Sequence, residues 1–256
     1  MQEIDIAQSS SLSYFCRQTN LVITLIKQPP MIEFKQQAAE KAVDYIQNNM
    51  IVGLGHGSTA IFALRKIARL LGDGTLQNVR GIPCSRQTEA EARELGIPLT
   101  TLDESPAVDI TIDGADEIDS KMNMIKGGGG ALLREKIVAQ ASKTCIYVAD
   151  ESKYSVFLGE KWAVPVEVLP FGARATCAFL ESLGAQVTIR QKADGSNFLT
   201  DQNNLIADCN FGVMHTPEAI ATAMKSRAGI VEHGLFIGIA SEIIIAGKDG
   251  IRTLQH

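Results

Sequence analysis

Between Ile51 and Lys153 the chain keeps returning to one pattern: a short apolar run, a polar or glycine-rich turn, then residues at helical spacing. Ile51-Val52-Gly53-Leu54 leads into Gly55-His56-Gly57-Ser58-Thr59, after which Ile61, Phe62, Leu64, Ile67, Ala68 and Leu71 fall on one helix face. Arg80–Pro83 ends at Cys84-Ser85, before a helix over residues 87–95 that stops at Gly96. Residues 98–102 and 108–112 continue the rhythm, and 144–149 end in Asp150-Glu151-Ser152-Lys153. Such alternation builds a mainly parallel sheet with right-handed crossovers and helices on both faces, a Rossmann-like α/β fold. Turns that follow its strands share one rim, where ligands gather. Upstream, residues 34–48 carry helical spacing, with Lys35 at the head.

From Trp162 the pattern changes. A strand over residues 164–168 and a helix over 174–183 precede short strands near 187–189, 198–200 and 205–207, then a helix over 218–225 opened by Thr216-Pro217. This βαββαβ-like order predicts a smaller α+β (ferredoxin-like) domain with helices on one face of an antiparallel sheet. Apolar runs at 235–239, 243–246 and 251–254 are expected to rejoin the first domain. The expected division is 31–160 with 235–256 as the Rossmann-like domain and 161–234 as the smaller one. Residues 1–30 have no basic start, and their one apolar run, 21–26, is too short for a signal peptide. A loosely ordered extension upstream of a functional start at Met31 is expected.

A net charge of −5 and a pI near 5.5 argue against a nucleic-acid-binding surface. No apolar run reaches the ~18 residues of a membrane span. Five cysteines (Cys16, Cys84, Cys145, Cys177 and Cys209) are scattered without C-x-x-C spacing, which fits reduced thiols in a cytoplasmic protein.

Strand, glycine turn and helix at 51–71 form a geometry that binds anions through loop amides and the helix dipole. A nucleoside-triphosphate loop needs a G-K-[ST] ending that is absent here, and the G-x-G-x-x-G spacing of a dinucleotide loop is broken by Ser58 and Ala60. A single phosphate monoester, held by Gly57, Ser58 and Thr59, fits best; a plain helix cap is the simpler alternative. The second charged stretch runs DGADEIDSKMNMIKGGGGALLRE from Asp113 to Glu135. Four consecutive glycines let a backbone approach a ligand with no side chain in the way. Removing a proton from carbon beside a carbonyl needs a base, and donors where the oxyanion develops. Glu135 is the candidate base, with Lys126 and the amides of Gly127, Gly128, Gly129 and Gly130 as oxyanion donors. Asp113 and Asp116 could orient Lys126 or bind hydroxyls. The same acids could instead hold a divalent cation, a second choice with no histidine at ligand spacing and a lysine already supplying charge.

The motifs GLGHGST (53–59), DGADEI (113–118), IKGGGGALLREK (125–136) and ADESK (149–153) resemble ribose-5-phosphate isomerase, type A, in order and spacing. The similarity runs from about Lys35 to the C-terminus. It implies a metal-free, cofactor-free aldose–ketose isomerase of the pentose phosphate pathway, working through an enediolate with Glu135 as base and Asp113, Asp116 and Lys126 beside it. It further implies substrate and phosphate contacts from Lys35, Ser58, Thr59 and Lys153, and a homodimer or dimer of dimers. His56 stands where threonine or serine is common in that family, and the 190–208 connection is longer than usual. Competing readings are an isomerase or deaminase of amino-sugar phosphates, a non-catalytic sugar-phosphate sensor and a coenzyme A transferase. The sensor usually carries a helix-turn-helix, which residues 1–30 do not resemble, and the transferase needs a glutamate motif that is absent.

Overall fold

The computed structural model describes residues 31–255; the expectations for residues 1–30 lie outside them. Helix α1 (Met31–Val43) buries Phe34, Ala38, Ala39, Ala42 and Val43, the small residues letting it sit close on the sheet. It ends five residues short of the expected stop. Residues 44–46 continue as tight i→i+3 turns that still bury Ile46. Strand β1 (Ile51–Leu54), helix α2 (Ala60–Gly72), β2 (Arg80–Pro83), α3 (Arg86–Glu94) and β3 (Val108–Gly114) follow in the expected order. Residues 98–102, expected as a strand, make only one parallel bridge, Leu99 to Gly81. Next come β4 (Glu117–Ile118), β5 (Met124–Ile125), α4 (Leu132–Gln140) and β6 (Ser142–Asp150). The chain returns late through β11 (Leu235–Phe236), β12 (Glu242–Gly247) and β13 (Gly250–Gln255).

The main sheet has the order β13-β12-β6-β3-β1-β2, parallel throughout except for β13 at one edge. Its two faces can be read from β6 residue by residue. Ile146 and Val148 face the cluster that includes α1 and α2, while Cys145, Tyr147 and Ala149 face Met124, Phe236 and Ala139 of α4. From β1 the chain moves outward to β2 on one side, then crosses back to β3 on the other. The gap beyond β1 and β3 is thus the topological switch point, where a parallel sheet opens a crevice.

A second sheet, β10-β7-β9-β8, is antiparallel, built from β7 (Val164–Val168), β8 (Gln186–Ile189), β9 (Leu205–Asn210) and β10 (Ile230–His233). With α5 (Ala173–Ser182) and α6 (Pro217–Lys225) it gives the βαββαβ order of a ferredoxin-like unit. Residues 198–200 form no strand: the arm between β8 and β9 makes two isolated bridges, Gln191 to Asn197 and Leu199 to Leu205. Strand β10 was not legible beforehand, because Ile230-Val231-Glu232-His233 is half polar. Its Glu232 is buried and accepts from Lys136 Nζ at 2.9 Å, and the same ammonium donates to the carbonyls of His233 (2.6 Å) and Leu235 (3.0 Å). One lysine on α4 therefore ties that helix to both β10 and β11.

Candidate active site

Three chain segments meet at the switch point. The first is the turn after β1. Gly55 donates to the Ile112 carbonyl (3.0 Å), and any side chain at Gly55 would run into Asp113 and its backbone, so only glycine allows the two strand ends to approach this closely. The His56 amide donates to Asp113 Oδ1 at 3.0 Å. Gly57 adopts φ +103, turning the chain into α2. Thr59 is the N-cap but makes no side-chain capping bond, and the Ser58 and Thr59 amides donate to no acceptor among the described residues. The plain-cap reading of this turn thus loses its defining bond. Lys35 Nζ donates to Ser58 Oγ at 3.0 Å, which brings a cation to the same helix end.

The second segment is the end of β3. Asp113 is buried and fully engaged: Oδ1 accepts from the His56 and Gly114 amides, and Oδ2 pairs with Lys126 Nζ at 2.9 Å. It stands behind the cavity wall, steadying both the anion turn and the lysine. Asp116 faces the cavity, and its Oδ2 accepts from the Gly128 amide at 2.7 Å.

The third segment runs from β5 into α4. The short sheet β11-β5-β4 holds Met124 and Ile125 from both sides, and the Lys126 amide donates to the Gly234 carbonyl at 2.9 Å. Lys126 is buried; its ammonium lies 2.9 Å from Asp113, 3.2 Å from Glu135 Oε1 and 2.6 Å from the Gly114 carbonyl, and 5.6 and 5.4 Å from the ring centroids of Tyr147 and Phe236. Glu135 sits in the first turn of α4, only 3% exposed, and its Oε2 has no hydrogen-bond partner among the described residues.

Ser58, Thr59, Asp116, Lys126, Gly129 and Glu135 all line one cavity of about 290 Å³. Gly57, Gly127, Gly128 and Lys153 reach it too. Gly130 does not: it lines a neighbouring depression beyond His56, with the Phe198 ring packed where its side chain would be. Lys35 touches the site through Ser58. A larger cavity of about 540 Å³, near Arg93, Leu99 and Ile137, lacks the acid–base cluster, so size is a poor guide here. Four lining residues were not among the expected site residues: Gly114 and Ala115, between the two aspartates, and Trp162 and His56. Trp162, the only tryptophan in the chain, has Lys153 Nζ 4.8 Å from its ring centroid; a lone tryptophan beside a lysine was the available hint. His56, noted above only as unusual, forms the wall against Gly129, with Nδ1 3.0 Å from Ser85 Oγ.

Charge in the cluster is uneven. Burial raises the Glu135 pKa to about 8 from an ordinary 4.5; Lys126 opposes that rise, and the carboxylates of Asp113 and Asp116 add to it. Burial disfavours the Lys126 cation, but Asp113 and Glu135 outweigh it and hold the ammonium above its usual range. A carboxyl whose pKa is raised to about 8 with a charged ammonium 3.2 Å away is the kind of pairing that carbon deprotonation requires. A consequence for pH follows. If Glu135 must be ionised, kcat/KM should rise tenfold per pH unit below about 8 and level off above it. Because the folded-state pKa is raised, the stability it contributes is complete below 4.5 and lost as pH climbs through about 8. The thermal midpoint of Glu135→Gln should therefore gain on the parent's between those pH values and stay level below them, as calorimetry at pH 4, 6 and 8.5 would show.

A mainly parallel α/β sheet with a glycine turn at a helix N-terminus, a buried carboxyl of raised pKa and a buried ammonium around one small cavity has the makings of an enzyme for small anionic molecules. The family model for ribose 5-phosphate isomerase A (phosphoriboisomerase A) matches residues 80–250. The chain is 55% identical over 221 residues to ribose-5-phosphate isomerase A of Desulfatibacillum aliphaticivorans, covering 86% of this chain and 96% of that one. It is 54% identical to the protein of that name from Chloroflexus aurantiacus, covering 85% and 91%. Among solved structures, ribose 5-phosphate isomerase from Plasmodium falciparum superposes with a TM-score of 0.85 at 43% identity, covering 88% of this chain and 99% of that one. A D-ribose-5-phosphate isomerase in complex with phospho-erythronic acid does so at 0.85 and 33%, covering 88% and 98%. The chain belongs to the ribose 5-phosphate isomerase A family, and its reaction is the interconversion of ribose 5-phosphate and ribulose 5-phosphate.

Proposed function

We propose that the isomerisation runs through an enediolate, with Glu135 moving the proton. The supporting observation is the unpartnered Oε2 of Glu135 in the cavity that Lys126 and the Ser58 turn also line. The phosphate sits on the amides and hydroxyls of Ser58 and Thr59, with Gly57 shaping the turn and Lys35 and Lys153 supplying charge. Glu135 takes hydrogen from C2 of the open-chain aldose, the C–H electrons form the C1–C2 double bond, and O1 becomes the oxyanion. Lys126 and the glycine-loop amides stabilise that charge. Asp116 moves the hydroxyl proton from O2 toward O1. Collapse to the C2 ketone returns the proton from Glu135 to C1. Asp113 acts through Lys126 and the anion turn. The acid co-crystallised with the solved relative suits this cavity, since its carboxylate carries charge where the enediolate would.

NMR of ribose 5-phosphate with the protein in D₂O tests this directly. Ribulose 5-phosphate should appear with deuterium entering at C1 of the ketose and C2 of the aldose, equally with and without EDTA. Complete retention of the carbon-bound hydrogen would mean hydride transfer and remove Glu135 as base. Loss of activity with EDTA would restore the divalent-cation reading of the acids.

Residues 31–160 with 235–256 act here as the catalytic domain, and 161–234 as the smaller domain that braces it. A homodimer or dimer of dimers is the assembly we propose. The four cysteines among the described residues are all free, which supports a cytoplasmic site of action.

A further inference from the structure

The arm that joins β8 to β9 reaches the glycine loop through one residue the reaction scheme does not use. Arg190 Nη1 donates to the carbonyls of both Gly127 (3.0 Å) and Gly128 (2.9 Å). Its Nε and Nη2 form a bidentate pair with Asp208, with Nε 2.9 Å from Oδ2. The guanidinium also lies 5.7 Å from the centroid of Phe198, the ring that packs on Gly130. One edge and one face of the guanidinium are thus held, and its remaining nitrogen grips two successive peptides of the loop.

All peptides among the described residues are trans, so each carbonyl points opposite to the N–H of the residue after it. Pinning the Gly127 and Gly128 carbonyls toward Arg190 turns the Gly128 and Gly129 amides to the other side. The Gly128 amide duly meets Asp116 Oδ2 at 2.7 Å on the cavity side. The Gly129 amide, facing the same way, has no acceptor among the described residues. A carbonyl bonded to a cation also polarises its own peptide, so its N–H becomes a stronger donor. A turn bond from the Gly130 amide to the Gly127 carbonyl (2.9 Å) helps hold the first of these peptides, but the Gly128 carbonyl has no donor other than Arg190 among the described residues.

We propose that Arg190 is a positioning residue for the isomerisation: held by Asp208, it sets and polarises the Gly129 amide that faces the developing enediolate and the Gly128 amide that holds Asp116. This rests on the reading of the glycine-loop amides as oxyanion donors. The oxyanion exists only after proton removal, so the contribution falls on kcat and on binding of a charged intermediate analogue, and hardly on substrate affinity.

The test uses Arg190→Met, Arg190→Lys and Asp208→Asn in the full chain. Turnover would be measured with ribose 5-phosphate, and phospho-erythronic acid binding through Trp162 fluorescence. Arg190→Met should lower kcat about tenfold to a hundredfold, less than outright loss of a donor, with KM within about threefold. Affinity for phospho-erythronic acid should fall with kcat, while affinity for inorganic phosphate stays unchanged. Arg190→Lys, which can reach one carbonyl but cannot hold Asp208 in a fork, should recover part of the loss. Asp208→Asn keeps the grip but loosens its anchor, giving a smaller loss in the same direction, and carries the test should Arg190→Met not fold. A lower thermal midpoint with kcat and acid affinity intact in these variants overturns the proposal and leaves Arg190 a structural brace. If the parent itself binds phospho-erythronic acid no more tightly than ribose 5-phosphate, the oxyanion reading of the loop fails and the role of Arg190 fails with it.

Discussion

Glu135→Gln is expected to lower turnover by about a hundredfold to ten-thousandfold while KM stays close to the parent's, the range that a positioned base contributes. The substitution is nearly isosteric and removes only the capacity to take a proton. The amide that replaces the carboxyl can still meet Lys126, which keeps its pairing with Asp113 at 2.9 Å. The phosphate turn is built from β1, α2 and Lys35, none of which touches the Glu135 carboxyl, so ground-state binding has no reason to change. Steady-state kinetics, with the NMR exchange assay as a check on residual proton transfer, measure both halves. Turnover within tenfold of the parent would take the base role away from Glu135. The expected rise in stability at pH 8 separates this from a folding defect: a variant that is slower yet sturdier has lost chemistry and not structure.

Lys126→Ala should be the more damaging change, because it strikes catalysis and folding together. Removing the cation takes away the charge opposite the oxyanion, and losing one such group costs about a hundredfold to a thousandfold in kcat. It also leaves Asp113 and Glu135 buried, at 1% and 3% exposure, without their common partner. Breaking a buried pair in this way typically destabilises a fold by about 3–5 kcal/mol. One of the two carboxyls must then hold a proton, so the base is removed along with the cation and residual activity should move to higher pH. Denaturant titration would report the stability and a pH–rate profile the rest. If only KM rose, with kcat unchanged, Lys126 would be an anchor for the phosphate and the oxyanion would need another donor.

Much of this site was legible in the chain because its parts are near neighbours in sequence. Asp113, Asp116, Lys126, the glycine run and Glu135 lie within one stretch of 23 residues, and the Ser58 turn has its own strand–glycine–helix signature. What misled the reading was local too. Residues 98–102 and 198–200 have the composition of strands, but each has a partner for only a bridge's length, since pairing is decided by the neighbour and not by propensity. The glycines looked equivalent in sequence. The fold separates Gly130 from the others by placing the ring of Phe198 against it.

Alternation of apolar runs and helical spacing settled the main sheet and its rim, and in the smaller unit every element but β10, because those depend on periodicities of a few residues. The roles open to Glu135 and Lys126 also followed from their kinds and spacing. Only tertiary structure decided that Asp113 serves from behind the wall, that Trp162 and His56 line the cavity, and that Arg190, 62 residues from Gly128, grips the glycine loop. It also decided how Glu135 titrates, since its carboxyl is moved from 4.5 to about 8 by the water it loses and the charges packed around it. Desolvation and long-range contact exist only once the chain has closed on itself, and no local pattern encodes them.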